Sequence, residues 1–147
     1  MPEIIFRYFQ SLTPLQKELI SRLKPLYDEW NSKINVISRR DMDNFYVHHV
    51  LHSLSIARKF SFRAGTAILD VGTGGGFPGI PLAILYPDSQ FTLLDSTAKK
   101  IRVAENVCKE LKLSNVRLVN KRIEEEKTQY DFIDRKSTRL NSSHRIR

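Results

Sequence analysis

Residues Ala67–Pro87 read AILDVGTGGGFPGIPLAILYP. An apolar run carrying one acid, Asp70, gives way to glycines at 72, 74, 75, 76 and 79, and then to a second apolar run with prolines at 78 and 81. This pattern predicts a short buried strand, a sharp loop and a helix, because glycine lets the chain turn tightly and brings bare backbone against a ligand. Working outward, QFTLLD (90–95), VRLVN (116–120) and YDFI (130–133) read as further buried strands. GIPLAILYP and TAKKIRVAENVCKELKL read as the intervening helices, the second with Ile101, Ala104, Val107, Cys108 and Leu111 on one face. Strand alternating with helix requires parallel pairing through right-handed crossovers. The fold class is therefore α/β, a doubly wound Rossmann-like sheet whose ligand is expected at the carboxyl ends of the strands.

Upstream the chain reads as helical. From Thr13 to Trp30, apolar residues at Leu15, Leu19, Leu23, Leu26 and Trp30 recur at helix spacing, with Thr13 as N-cap and Pro14 at the first helical position. Pro25 is expected to kink or divide this helix. NSKINVISRRDMDN reads as polar and turn-rich. FYVHHVLHSLSIARKF then places Phe45, Val47, Val50, Leu51, Leu54 and Phe60 on one helical face. His48, His49 and His52 have no suitably spaced acid or cysteine beside them, so the expectation is packing or hydrogen bonding at the junction with the sheet, and no metal site.

The chain of 147 residues carries a formal net charge of +8. Residues 1–66 hold ten Lys/Arg against six Asp/Glu, residues 67–133 nine against nine, and residues 134–147 five against one. A basic excess points to a polyanionic partner, and half of it lies in the last segment. That segment, DRKSTRLNSSHRIR, has neither strand nor helix period and reads as non-native sequence or a disordered tail, with a native RNA-binding tail as the competing reading. The single cysteine, Cys108, reads as core packing. No segment reaches the roughly 18 apolar residues of a membrane span, so a cytoplasmic protein is expected.

Asp70 at the end of the first strand, the glycine loop, and Asp95 at the end of the second form the pattern of a nucleoside clamp, in which Asp95 accepts two ribose hydroxyls. Gly74, Gly76 and Gly79 match G-x-G-x-x-G, which admits NAD. Pro78, however, lacks the amide that a pyrophosphate needs at a helix N-terminus, and an acid before the loop suits a cationic sulfonium better. The residues favour S-adenosylmethionine over NAD.

ILDVGTGGGFPGIPLAI, FTLLDS, KKIRVAENVCKELKL and NKRIEE together resemble the GidB/RsmG family of bacterial small-subunit (16S) rRNA guanine-N7 methyltransferases. LYDEWNSKINVISRR and HHVLHSL resemble that family's W-N-x-x-x-N and H-x-x-D-S-L segments, with His52 where most members carry Asp. The resemblance covers about residues 5–133. It implies an S-adenosylmethionine site in which Gly72, Gly74, Gly76 and Phe77 line the cofactor, Asp95 and Ser96 meet the ribose, and Ile123 and Glu124 lie beside the adenine, with Ile123 and Phe77 packing its faces. The family's later Ser-Arg-Ala is absent, so the chain is expected to be truncated, poorly stable and inactive on its own. Arg135 and Lys136 lie near the family's cofactor-binding arginine but are not assigned to it.

The implied substrate is small-subunit ribosomal RNA or a pre-ribosomal particle, bound by a monomer. Residues 1–64 are expected to face the RNA and residues 65–133 to form a partial methyltransferase domain. Arg22, Lys24, Lys33, Arg39, Arg40, Arg58 and Lys59 are available for phosphates, and Tyr46 or Phe45 for base stacking. Guanine N7 carries a free lone pair, so the transfer needs no general base, and no catalytic residue is assigned. The rival readings are an NAD-dependent oxidoreductase and a non-catalytic RNA-binding module.

Overall fold

A computed structural model describes residues 1–135 of the chain. Helix α1 (Glu3–Tyr8) precedes the long α2 (Pro14–Asn31), followed by α3 (Arg39–Asp43), a π-helical turn (Tyr46–Leu51), and the short α4 (His52–Leu54) and α5 (Ile56–Lys59). Neither α1 nor α3 is evident from periodicity. Both are shorter than two turns, and α3 forms where Ser38 accepts the Asp41 amide as an N-cap.

Helix α2 begins as expected. Thr13 and Gln16 form a reciprocal capping box, and Pro14 occupies the first position. The helix runs unbroken through Pro25, so the proline does not divide it. Proline removes the amide that would bond the Ser21 carbonyl. The Tyr46 hydroxyl stands in for it, 2.8 Å from the Ile20 carbonyl and 3.1 Å from that of Ser21. The deeply buried face of α2 is Ile20, Leu23 and Tyr27, while Leu15 is 62% exposed. The stripe is thus rotated from the leucine positions read in the sequence.

The four strands are β1 (Ala67–Val71), β2 (Gln90–Asp95), β3 (Val116–Asn120) and β4 (Phe132–Arg135), all parallel, in the order β3-β2-β1-β4. Crossover helices α6 (Gly79–Leu85) and α7 (Ala98–Leu111) connect β1 to β2 and β2 to β3. The last strand starts later than YDFI suggested and runs past Ile133. Asp134 pairs with Asp70 and Arg135 with Val71, so these two residues of the expected tail belong to the sheet. The rest of the segment read as a tail lies outside the described residues.

Side chains alternate across the sheet. Ile68, Phe91 and Leu93 face a large core shared by α6, α7 and the front helices; Leu69 and Leu94 face the other way and meet Tyr130. Both described crossover helices cover the first face, while the second is covered by the segment after β3. The front helices have no separate core: Ile5, Ile20, Leu23 and Val50 belong to the same cluster as Ile80 and Val107.

Candidate cofactor site

The loop between β1 and α6 is held by the two aspartates that end the first two strands. Asp70 is 1% exposed; its Oδ2 accepts from the Thr73 hydroxyl at 2.7 Å and the Gly79 amide at 3.0 Å. Its carboxylate thus closes the loop onto the start of α6. It points into the large core, which corrects the expectation that it meets a cationic ligand. Asp95 bridges outward: Oδ2 accepts from the Gly74 amide and Oδ1 from the Thr97 amide, each at 2.8 Å. Gly74 takes φ 60°, a left-handed conformation that strains residues bearing a Cβ, and so its amide turns toward β2. Each Asp95 oxygen retains a lone pair beyond the amide it accepts.

Gly72, Gly74, Asp95 and Ser96 meet at the carboxyl edge of β1 and β2, and Ser96 is exposed. Ile123 and Glu124 occupy a single 3-10 turn (Ile123–Glu125) just beyond β3, where Asn120 pairs with Asp95 and donates to its carbonyl at 2.9 Å. The expected residues from three strand ends therefore share one edge. Phe77 is the exception. Its side chain is 4% exposed and packs against Tyr27 (4.9 Å between ring centroids), His49 (5.0 Å) and Phe45 (5.8 Å) in the large core. Ile123 packs on the opposite face of the sheet with Leu69 and Leu94. The structure does not bring these two side chains together to sandwich an adenine as expected: the Phe77 ring is buried in the large core and Ile123 packs in the separate small cluster.

A pyrophosphate needs free amides at the start of the helix after the loop. Here the Gly79 amide goes to Asp70, the Ile80 amide to the Gly76 carbonyl at 2.8 Å, and Pro78 and Pro81 have none. Donors are spent on closing the loop. The resulting edge, a turned backbone beside a carboxylate and a half-buried Ile123, suits a nucleoside whose cationic tail needs no phosphate grip.

Three residues of the W-N-x-x-x-N segment and its flanks, to which the sequence assigned no individual role, shape the loop from behind. The Tyr27 hydroxyl donates to the Gly75 carbonyl at 2.6 Å. Asn31 accepts from the amides of Val36 and Ile37 and donates to the Ile37 carbonyl, which fixes the bend that lays Val36 against Gly75. Tyr27 sits at the i+7 position from Ile20, and that spacing was its available signal.

Phe45 and Tyr46 are 1% and 3% exposed, so neither is available to stack on a base, contrary to expectation. Burial pushes the Tyr46 phenol up to about 12. His48 lies 3.1 Å from Asp41, and this hydrogen bond is the main cause holding that carboxyl below its ordinary range. His49 lies at the junction with the loop, through Phe77. Cys108 is buried, and desolvation with the nearby Glu105 raises its thiol to about 12. Among the described residues no group of three or more His, Cys, Asp or Glu could hold a metal ion, and no helix is long and apolar enough to cross a membrane.

The family model for GidB, rRNA small subunit methyltransferase G, matches residues 16–139. The chain belongs to that family. The match extends beyond Ile133, where the resemblance was expected to stop. The chain is 55% identical to ribosomal RNA small subunit methyltransferase G of Bacteroides fragilis (strain ATCC 25285) over 131 residues, covering 89% of this chain and 64% of that relative. It is 55% identical to the protein of the same name from Flavobacterium johnsoniae over 129 residues, covering 88% and 62%. The chain thus spans less than two thirds of the length of these relatives. Coclaurine N-methyltransferase bound to N-methylheliamine and SAH superposes with a TM-score of 0.56 at 15% identity, over 90% of this chain and 48% of that one. The C-terminal domain of precorrin-6Y C5,15-methyltransferase from Rhodobacter capsulatus gives 0.53 at 13%, over 61% and 50%. At these identities the likeness shows the fold: a Rossmann-like methyltransferase sheet.

Proposed function

We propose that the chain binds S-adenosylmethionine at the carboxyl edge of β1, β2 and β3 and serves, as a monomer, in methylating guanine N7 of small-subunit ribosomal RNA. The observation that carries this reading is the pairing of a family match over residues 16–139 with a glycine loop tied to Asp95 through the Gly74 amide. When bound, the cofactor supplies an electrophilic methyl group on a sulfonium. The residues around it bind and orient. The Asp95 lone pairs left by the Gly74 and Thr97 amides accept ribose hydroxyls, Ser96 adds a second polar contact, and Ile123 and Glu124 flank the base. Phe77 takes part through its backbone, its ring being committed to the core. N7 presents a lone pair, so no side chain needs to remove a proton, and alignment of the reactants is the main contribution asked of the protein.

Residues 1–64 supply the RNA-facing side in this reading. Of the basic residues available, Lys24 pairs with Asp28 at 3.0 Å and Lys33 with Glu29 at 3.8 Å, while Arg22 and Arg58 bond backbone carbonyls. Arg39 and Arg40 are exposed on α3, a few residues beyond the Val36 that braces Gly75, and are the favoured phosphate contacts.

Titration calorimetry with S-adenosylhomocysteine and with NADH tests the cofactor. The expected outcome is binding of the first alone, weakened about tenfold or more by Asp95→Ala, the size of one charge-assisted hydrogen bond. Binding of NADH without S-adenosylhomocysteine would overturn the reading in favour of the dinucleotide enzyme. Binding of small-subunit RNA with no cofactor affinity would favour the non-catalytic module.

A further inference from the structure

We infer that Tyr27, on helix α2, is a positioning residue for the glycine loop: its buried hydroxyl sets the Gly75–Gly76 peptide in the orientation the cofactor requires, coupling the helical front to the cofactor edge. The inference rests on the cofactor reading above.

The loop contains glycines at 72, 74, 75 and 76 within five residues, a composition that costs more conformational entropy to order than any other. It is ordered from two sides. On the cofactor side, Asp95 holds the Gly74 amide. On the other, Tyr27 holds the Gly75 carbonyl at 2.6 Å, and the amide at the other end of the same peptide, that of Gly76, donates to the Thr73 carbonyl at 3.0 Å. Because a peptide is planar, fixing both ends fixes its rotation. The fit is close: a Cβ at Gly76 would stand 2.8 Å from the Tyr27 hydroxyl and 2.4 Å from Ile80 Cδ1. Tyr27 itself has little freedom. It is fully buried, its phenol is pushed well above the ordinary value by desolvation, and its ring is wedged against Phe45 and Phe77. The hydroxyl thus stays a neutral donor across the accessible pH range, and its partner is a backbone carbonyl of the loop.

Preorganisation has a measurable signature. A loop held in its binding shape loses less entropy when the ligand arrives, so removing the hold lowers affinity without removing any ligand contact. Tyr46 provides an internal control. It is another buried tyrosine whose hydroxyl bonds backbone carbonyls, but those of Ile20 and Ser21 in α2 instead of the loop.

The experiment compares Tyr27→Phe and Tyr46→Phe in the whole chain, well below their unfolding temperatures. It reads S-adenosylhomocysteine affinity by calorimetry and hydrogen exchange of the loop amides in the ligand-free protein. Tyr27→Phe is expected to weaken binding about tenfold and to speed exchange at Gly76 and Phe77, with Tyr46→Phe changing the affinity less than about twofold. Equal affinity losses in the two variants would overturn the inference, since both would then reflect general destabilisation. Unchanged affinity and exchange in Tyr27→Phe would overturn it alone and leave the cofactor reading standing. If the unaltered chain binds no S-adenosylhomocysteine, the cofactor reading fails and the inference falls with it. Should Tyr27→Phe unfold, Val36→Ala, which removes the other contact behind Gly75 without touching the hydrogen bond, is expected to leave both the exchange at Gly76 and the affinity within about twofold of the unaltered chain; a loss of about tenfold in affinity there would assign the role to packing and overturn the inference.

Discussion

The two faces of the sheet are built differently. On one, Leu93 and Phe91 lie beneath α6 and α7, and the front helices extend the same core outward. On the other, Leu69, Leu94 and Tyr130 form a small cluster beneath the segment that follows β3. Among the described residues, the first face is where sequence separated by half the chain converges, and the second is met by a short local stretch that leaves several of its apolar side chains only partly buried. The contrast explains why the glycine loop is so firmly held: its backing, through Asp70, Phe77 and Tyr27, belongs to the thick face.

Neighbouring residues on β2 give the sharpest test of this contrast. Leu93 and Leu94 are both essentially buried but point to opposite faces. Leu93→Ala should cost about 4 kcal/mol in urea unfolding and Leu94→Ala about 2.5 kcal/mol, since the cost of such a deletion depends on how far the surroundings can settle into the void. A reversed order would break the comparison. Next in size is Asn115, which is 5% exposed and whose side-chain amide lies within 3.0–3.1 Å of the carbonyls of Ala83, Tyr86 and Ser89, tying the end of α6 to the start of β2. Asn115→Ala leaves buried carbonyls without that donor and should lower stability by about 2 kcal/mol in the same assay.

The smallest effect belongs to the thin face. Glu126 is nearly covered and accepts from Lys121 at 2.8 Å and from Tyr130, with Arg117 at 3.4 Å. The hydrogen bond from Lys121, followed by that from Tyr130, holds its carboxyl below the ordinary value of 4.5. A depressed folded value means the contribution is complete above about 4.5 and is lost as pH falls through the folded value. The stability difference between the unaltered chain and Glu126→Gln should therefore be constant near neutrality and shrink only in acid. A difference that grew on acidification would show that the cluster does not pin Tyr130 through the ionised carboxylate.

Much of this was legible in the sequence. Strand, loop and helix around Asp70 could be read because short apolar runs, glycines and prolines each act locally, and the carboxyl edge follows from parallel topology alone. The fate of individual side chains could not be read the same way. Asp70 and Asp95 both end strands and project to the same side of the sheet, yet one is engaged by Thr73 and Gly79 and the other by Gly74 and Thr97; that distinction depends on how the glycine loop folds back over the two strand ends. Phe77 has the composition of a ligand contact and the environment of a core residue. The hydroxyl of Tyr27 acts on Gly75, 48 residues along the chain, so its spacing marks it as buried but not as a partner of the loop; the Asn31 bend is local, but it is built from side-chain-to-backbone bonds that leave no hydrophobic period.

The continuity of α2 through Pro25 ties two distant positions together. Pro25 and Tyr46 form one energetic unit, because the carbonyl that the proline deprives is one of the two the tyrosine reaches. Removing the Tyr46 hydroxyl takes a donor from the Ser21 carbonyl only while Pro25 is present, whereas with an ordinary residue at 25 the helix amide would serve that carbonyl. The cost of altering either position therefore depends on the residue at the other, a non-additivity that a double-mutant cycle would read directly.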